Sequence, residues 1–277
     1  MTTAATALTR ATGRLATAGC ESADVDAEIL LAHVLGTTRS GLRASTGSEL
    51  DDATLAELDR LVARRELREP LAYVLGEWGF RHLTLCIDDR VLVPRPETEI
   101  VVERCLALIG GMADPRVLDV GTGSGAIALA IADEAAGALV TAIDVSQDAL
   151  EVARVNAART ELSVELLHRD LFRGLPEGPW DLVVSNPPYV REDEIAMLDP
   201  EVREWEPRAA LVNEGATDAV ARGAVSVLRP GGALVLETAE GNAGCVHGLL
   251  AALGYTDVRT TRDLAGRDRV VEGVLEG

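Results

Sequence analysis

The feature that most constrains this chain is a rhythm that begins at Pro115. Short apolar runs at Arg116–Val120, Leu139–Ile143, Ser163–Leu167, Asp181–Ser185, Ala233–Glu237, Thr256–Thr261 and Arg269–Val274 read as strands. Between them, helical stretches fall at about Gly125–Asp133, Gln147–Arg159, Gly215–Leu228 and Ala243–Leu253. Strands that alternate with helices build an α/β fold, a doubly wound and mostly parallel seven-stranded sheet whose ligands sit at the carboxyl ends of the strands. The last two strands follow each other without a helix, which predicts an antiparallel edge. No internal repeat or low-complexity tract interrupts the pattern.

The chain before this point has a different texture. Residues 1–75 read as helices only: an alanine-rich run at Ala4–Ala18 closed by Gly19, a second helix at Asp24–Leu35 and a third at Asp51–Leu67. They predict a small bundle with no catalytic cluster. Residues 76–96 are expected to form a β-hairpin linker, with two short strands in Phe80–Val93 around Asp88-Asp89. The third segment, residues 97–277, opens with a helix at Glu97–Leu108 and carries the sheet.

Two strand ends bear chemistry. Val117-Leu118-Asp119-Val120 runs into Gly121-Thr122-Gly123-Ser124-Gly125, and Ala126–Ala130 then starts a helix. Glycines there allow a tight turn and let backbone amides approach a ligand closely. The next strand ends in Asp144, about 20 residues on, where an acid accepts both ribose hydroxyls of an adenosine-type cofactor. The pattern Gly121-x-Gly123-x-x-Ala126 fits a dinucleotide fingerprint, while Gly125 and Asp119 resemble the nucleoside-methyltransferase turn; the turn alone leaves S-adenosylmethionine and NAD both open. Beyond the third strand, Asp170 is placed to accept from an adenine amine and the Leu171 amide to donate to the ring, with Leu171 and Phe172 covering its face. Taken alone, an Asp after a strand is more often a helix cap or a solvated loop residue, but in series with Asp144 the ligand reading of Asp170 gains weight.

The fourth strand ends in Asn186-Pro187-Pro188-Tyr189. Consecutive prolines stiffen the loop and hold Asn186 extended. The Asn186 side-chain carbonyl and the Pro187 backbone carbonyl offer two fixed acceptors for a planar NH₂ group, on which Tyr189 is expected to stack.

At these residues the chain resembles a known family. Asn186–Tyr189 is similar to the loop of methyltransferases acting on planar NH₂ groups. Pro70–Gly76, Phe80, Val91–Glu99 (Val-Leu-Val-Pro-Arg-Pro-Glu-Thr-Glu), Glu201-Val-Arg and Glu206–Leu211 resemble the peptide-chain release factor glutamine methyltransferases, the PrmC/HemK family. The resemblance runs from about Arg68 to the C-terminus and implies a class I, Rossmann-like methyltransferase domain. It implies transfer of a methyl group from S-adenosylmethionine to the side-chain amide nitrogen of the glutamine in the release factors' Gly-Gly-Gln loop, releasing S-adenosylhomocysteine. It places cofactor contacts at Gly121, Thr122, Gly123, Ser124, Gly125, Asp144, Asp170, Leu171 and Asn186. Catalysis would rest on Asn186 and Pro187, and substrate binding on Asn186, Pro187, Pro188 and Tyr189. Leu171 stands where some relatives carry a tryptophan.

Composition narrows the rest. A formal charge of −19, with every basic residue an arginine, argues against nucleic acid and anionic membranes as partners and favours a protein or small molecule. This disfavours an adenine amine in nucleic acid as substrate, and within the resemblance the Pro-Arg-Pro-Glu-Thr-Glu segment, Pro94–Glu99, favours the release-factor branch over a ribosomal-protein glutamine. A NAD-dependent oxidoreductase leaves Asn186–Tyr189 unexplained, and a non-catalytic module leaves intact Asn186 and Asp144 unexplained. Cys20, Cys86, Cys105 and Cys245 lack metal-ligand or disulfide spacing and read as packing thiols of a reduced compartment. No metal is expected, since His33, His82, His168 and His247 are dispersed. No stretch reaches the roughly 18 apolar residues of a membrane span, so a cytoplasmic protein is expected, and a monomer. Arg95 between two prolines is placed either at the lip of the site or in a pair with Glu97 or Glu99. Glu201–Arg208, with Trp205, reads as a wall of the substrate loop or a solvated turn with a buried tryptophan.

Overall fold

The computed structural model describes residues 2–212 and 215–276. The chain divides into two compact units. One holds the chain up to Glu77 together with Asp199–Trp205, and the other holds Trp78–Leu198 and everything from Glu206 onward.

In the first unit, β1 (Thr2–Thr3) pairs antiparallel with β2 (Glu49–Leu50) beside helices α1 (Ala4–Thr17), α2 (Ala23–Val34), α3 (Arg39–Ala44), α4 (Asp52–Glu66) and α5 (Leu71–Leu75). Side-chain oxygens of Thr3, Thr38 and Asp51 accept from the amides of Thr6, Gly41 and Thr54, closing the N-termini of α1, α3 and α4. Ala7, Ala11 and Leu15 of α1 pack with Leu30 and Leu31 of α2 and Leu58, Leu61 and Val62 of α4 in one buried cluster. The short helix α9 (Pro200–Trp205) belongs to this unit through Glu201, which accepts from Arg65 Nη2 at 2.8 Å and from both Nε and Nη2 of Arg68 at 2.7 and 2.6 Å. Arg65, nearly buried, also pairs with Asp26 at 2.8 Å.

The second unit is the sheet. Strands β3 (Glu77–Phe80) and β4 (Leu83–Cys86) form the hairpin, displaced from the expected Phe80–Val93. The turn falls at Arg81-His82, not at Asp88-Asp89. Arg81 is left-handed, with φ 50°, and is held there by its partners: the Arg81 amide donates to Glu99 Oε1 at 3.1 Å and its guanidinium grips Glu134. Asp88 instead shapes a second turn, accepting from the Arg90 amide at 3.1 Å.

After α6 (Thr98–Ile109) come β5 (Arg116–Val120), α7 (Ala126–Glu134), β6 (Leu139–Asp144), α8 (Gln147–Thr160), β7 (Glu165–His168) and β8 (Trp180–Ser185). Then follow α10 (Arg208–Leu211), α11 (Ala216–Val227), β9 (Leu228–Glu237), α12 (Ala243–Ala252), β10 (Tyr255–Arg262) and β11 (Asp268–Leu275). The sheet order is β10-β11-β9-β8-β5-β6-β7. All pairings among β5 to β9 are parallel, and β11 inserts antiparallel between β9 and β10. β9 begins before the expected Ala233 because an irregularity between Trp180 and Leu182 lets β8 pair back to Leu228. Period-2 alternation sends Leu118, Val120, Val183, Leu234 and Leu236 into one core with Val220 and Ala224 of α11 and Val246 and Leu250 of α12. Strand order reverses at β5, so the crevice between β5 and β8 is the switch point where sheets of this class bind ligands.

Candidate active site

Register brings the strand ends together. Val120 pairs with Ile143 on one side and Ser185 on the other, so the next residues, Gly121, Asp144 and Asn186, emerge abreast. His168 pairs with Asp144, which sets Asp170 two residues further along the same edge. A cavity of about 360 Å³ opens here, lined by Gly121, Gly123, Asp144, Asp170, Leu171, Asn186 and Pro188, with Leu92, Ile143, Val145, Phe172 and Ala210 among its apolar walls. That volume suits a small-molecule ligand.

Gly121 and Gly123 adopt φ +75° and +56°, and a Cβ on either would meet no atom within 4 Å: the turn faces open space. The turn is braced from behind. The amides of Gly121 and Thr122 both donate to the Ile143 carbonyl at 2.9 and 3.0 Å, Thr122 Oγ1 donates to Asp119 Oδ2 at 2.7 Å, and the Ser124 carbonyl accepts from Asn156 Nδ2 at 2.9 Å. Thr122 and Ser124 are buried and, like Gly125, lie behind the cavity wall rather than on it. Asp119 is fully buried with Oδ1 lacking a hydrogen-bond partner among the described residues. Burial lifts its carboxyl to about 7, the Thr122 hydrogen bond opposing and nearby Asp144 adding to the rise.

Asp144 accepts from the Gly123 amide through Oδ2 and the Ser146 amide through Oδ1, both at 2.9 Å, and lines the cavity. Burial pushes this carboxyl up, against the hydrogen bonds from Ser146, Gly123 and Val145. Asp170 both caps a short 3₁₀ turn, accepting from the Phe172 amide at 2.9 Å, and lines the cavity. Leu171 and half-exposed Phe172 stand beside it.

Of the Asn186–Tyr189 loop, Asn186 and Pro188 line the cavity, while Pro187 is buried and Tyr189 turns elsewhere. The Tyr189 hydroxyl donates to Glu237 Oε1 at 3.3 Å, which explains why the ring expected to stack on a planar group is absent from the cavity wall. Glu237 also accepts from Thr98 Oγ1 at 2.7 Å, and Asn186 Nδ2 donates to that same Thr98 oxygen at 3.4 Å. Burial pushes the Glu237 carboxyl up, offset by Thr98, Tyr189 and the Arg269 charge. Glu237 and Thr98 were not among the expected site residues. The signal available was that β9, like β6, ends in an acid.

Arg95 pairs with neither Glu97 nor Glu99. Its Nη2 contacts both oxygens of buried Glu206, at 2.7 and 2.6 Å, while Glu97 pairs with Arg267 and Glu99 takes the Arg81 amide. The Glu201–Arg208 stretch accordingly splits: Pro200–Trp205 goes with the helical unit, Trp205 being only partly buried, and Pro207 with Ala209 and Ala210 walls the cavity. The thiols split as well, since Cys20 and Cys105 are buried in packing but Cys245 is exposed. Carboxylate acceptors beyond two successive strands, apolar walls and an open glycine cradle fit the adenosine and amino-acid parts of S-adenosylmethionine.

Residues 6–76 match the family model of the PrmC N-terminal domain, and residues 98–202 match that of the methyltransferase small domain. Among curated relatives, the chain is 40% identical over 276 residues to the release factor glutamine methyltransferase of Caulobacter vibrioides, covering 97% of this chain and 95% of the relative. To the release factor glutamine methyltransferase of Deinococcus radiodurans it is 42% identical over 275 residues, covering 98% of each. Among solved structures, a methyltransferase from Pyrococcus furiosus shares the fold, with a TM-score of 0.52 and 20% identity over 71% of this chain and 90% of that one. So does the 16S rRNA N2 G1207 methyltransferase of Thermus thermophilus, in complex with AdoMet and guanosine, with a TM-score of 0.53 and 19% identity over 72% of this chain and 50% of that one.

Proposed function

The chain belongs to the release factor glutamine methyltransferases, and on that footing we propose that it methylates the side-chain amide nitrogen of the glutamine in the Gly-Gly-Gln motif of peptide-chain release factors, with S-adenosylmethionine as methyl donor. The observation that carries this reading is the register of β5, β6 and β8, which sets the open glycine turn, Asp144 and Asn186 abreast around one cavity.

When bound, S-adenosylmethionine supplies an electrophilic methyl carbon on a sulfonium. Gly121 and Gly123 leave room for it, Asp144 takes the ribose hydroxyls, and Asp170 and Leu171 hold the adenine. Asn186 Oδ1 and the Pro187 carbonyl accept the two amide hydrogens of the glutamine. An amide nitrogen is a poor nucleophile because its lone pair is delocalised. Holding both hydrogens orients the nitrogen toward the methyl group and favours its pyramidalisation, while apolar walls exclude water. The methyl group would pass from the sulfonium to the amide nitrogen that Asn186 Oδ1 and the Pro187 carbonyl hold in line, the carbon–sulfur bond giving way to the nitrogen–carbon bond, and the surplus amide proton would be released to water as the products leave. Residues 1–75 dock the release factor, residues 76–96 link, and residues 97–277 carry the chemistry. The protein acts as a cytoplasmic monomer and requires no metal.

The test is incubation of the purified protein with methyl-labelled S-adenosylmethionine and intact release factors, followed by mapping of the labelled residue. Label on the Gly-Gly-Gln glutamine is expected, and label elsewhere, or none, overturns the reading.

A further inference from the structure

The contacts behind Asn186 have a direction. Glu237 sits beside Asn186 because Ser185 of β8 pairs with Leu236 of β9, and it is all but sealed from solvent. Both its hydrogen bonds are accepted, from Thr98 Oγ1 at 2.7 Å and from the Tyr189 hydroxyl at 3.3 Å. Thr98 is nearly buried as the first residue of α6, and its one hydroxyl proton is therefore spent on Glu237. What its oxygen has left is lone pairs, and it can only accept from Asn186. Asn186 meets it with Nδ2 at 3.4 Å, and Asn186 Oδ1 makes no hydrogen bond among the described residues. The two ends of a side-chain amide have nearly the same shape. The polarity of the chain from Glu237 through Thr98 to Asn186 is what distinguishes them.

We propose that Glu237, acting through Thr98, is a positioning residue that turns the oxygen of Asn186 toward the cavity and so restricts the site to substrates presenting NH₂ hydrogens. This rests on the methyl-transfer reading above and deepens it: the acceptor needed for a glutamine amide is oriented from behind by a buried charge. With the polarity reversed, Asn186 would present its NH₂ and repel the amide hydrogens it has to grip. Tyr189 belongs to the same device, supplying the second hydrogen bond that keeps Glu237 satisfied while buried.

The experiment uses the full-length chain with T98V, T98S and E237Q, and three readouts. T98V removes the hydroxyl at constant shape, and kcat on intact release factor is expected to fall on the order of tenfold, the equivalent of one hydrogen bond, with KM changed less than about twofold. Affinity for S-adenosylhomocysteine by calorimetry is expected to stay within about twofold of wild type. T98S keeps the hydroxyl and restores most of kcat, which a mere packing role would not do, because the lost methyl leaves a void. In ¹⁵N spectra the Asn186 side-chain NH₂ pair, assigned by its loss in N186D, shifts in T98V and in E237Q but not in T98S. The proposal is overturned by T98V turning over normally, by T98S failing as T98V does, or by an Asn186 signal indifferent to all three changes. If T98V unfolds, E237Q carries the same comparison, with lowered kcat and a shifted Asn186 pair expected. The amide spectrum needs no turnover, so a wild-type protein that leaves release factors unmethylated would sink the functional reading and leave the relay to stand or fall on the spectrum.

Discussion

A single carboxylate joins the glycine turn to the cavity. Asp144 holds the Gly123 and Ser146 amides and still faces the cavity. D144A is expected to weaken S-adenosylhomocysteine binding by about 2–3 kcal/mol, the scale of charge-assisted hydrogen bonds; calorimetry showing unchanged affinity would remove the ribose role. Asp119, three residues before the turn's Thr122, behaves differently because it is fully buried with one oxygen unpartnered among the described residues. Its carboxyl lies at about 7 in the folded chain, above the ordinary 3.8. The folded state thus holds this proton more tightly than the unfolded one. Its stabilisation is complete below about pH 4 and is lost as pH rises through about 7. Between pH 5 and pH 8 the wild type is expected to lose about 2 kcal/mol more stability than D119N; parallel urea curves at the two pH values would show that Asp119 is not the titrating group. At this scale the sequence was legible wherever a residue sat at the end of its own strand: Gly121, Asp144 and Asn186 are all one step beyond a readable apolar run. Glu237 and Thr98 were not, because their partnership spans 139 residues and exists only once β9 lies beside β8.

Helices and strands were readable in proportion to how much of their cause is local. β5 and β8 bury alternating or continuous apolar residues, and their limits fall within a residue of the pattern. The β3–β4 hairpin was misplaced because its turn depends on Arg81 being held by Glu134 and Glu99, partners far away in sequence, while Asp88-Asp89 offered a stronger local turn signal. The join between β5 and α7 yields a paired prediction. Gly125 caps α7 at φ +83°, where a Cβ would come within 3.2 Å of Leu129 and 3.3 Å of Ala153. G125A is therefore expected to cost about 1–3 kcal/mol of stability in thermal unfolding through backbone strain and overpacking. G123A meets open space instead: its loss of stability should be limited to the left-handed backbone, about 1–2 kcal/mol. Its larger effect should be on S-adenosylhomocysteine affinity, since the added methyl group enters the cavity. Equal affinities for the two variants would show that the ligand does not rest on Gly123.

The chain forms two compact units, and the sequence pattern carries no sign that Asp199–Trp205 belongs with the helices. The reason is electrostatic and long-range. Glu201 is drawn by Arg65 and Arg68, more than 130 positions away, and Arg65 is itself buried against Asp26. A charge cluster of that kind leaves no periodicity to read. The helical unit contributes nothing to the cavity, whose lining residues all come from Arg90 onward. Deleting residues 1–75 should leave S-adenosylhomocysteine affinity in calorimetry within about twofold of the full chain, because no lining residue is lost. Methylation of intact release factor should fall by at least an order of magnitude if the helices dock the protein substrate, since a docking surface supplies binding energy remote from the reacting amide. A deletion that binds cofactor normally and methylates whole release factor at the full rate would transfer recognition to the sheet unit. A deletion that fails to bind cofactor would mean that Glu201, stripped of Arg65 and Arg68, disturbs the Pro207–Ala210 wall that follows it in the chain. Adding E201Q to the deletion separates these outcomes by removing the orphaned charge.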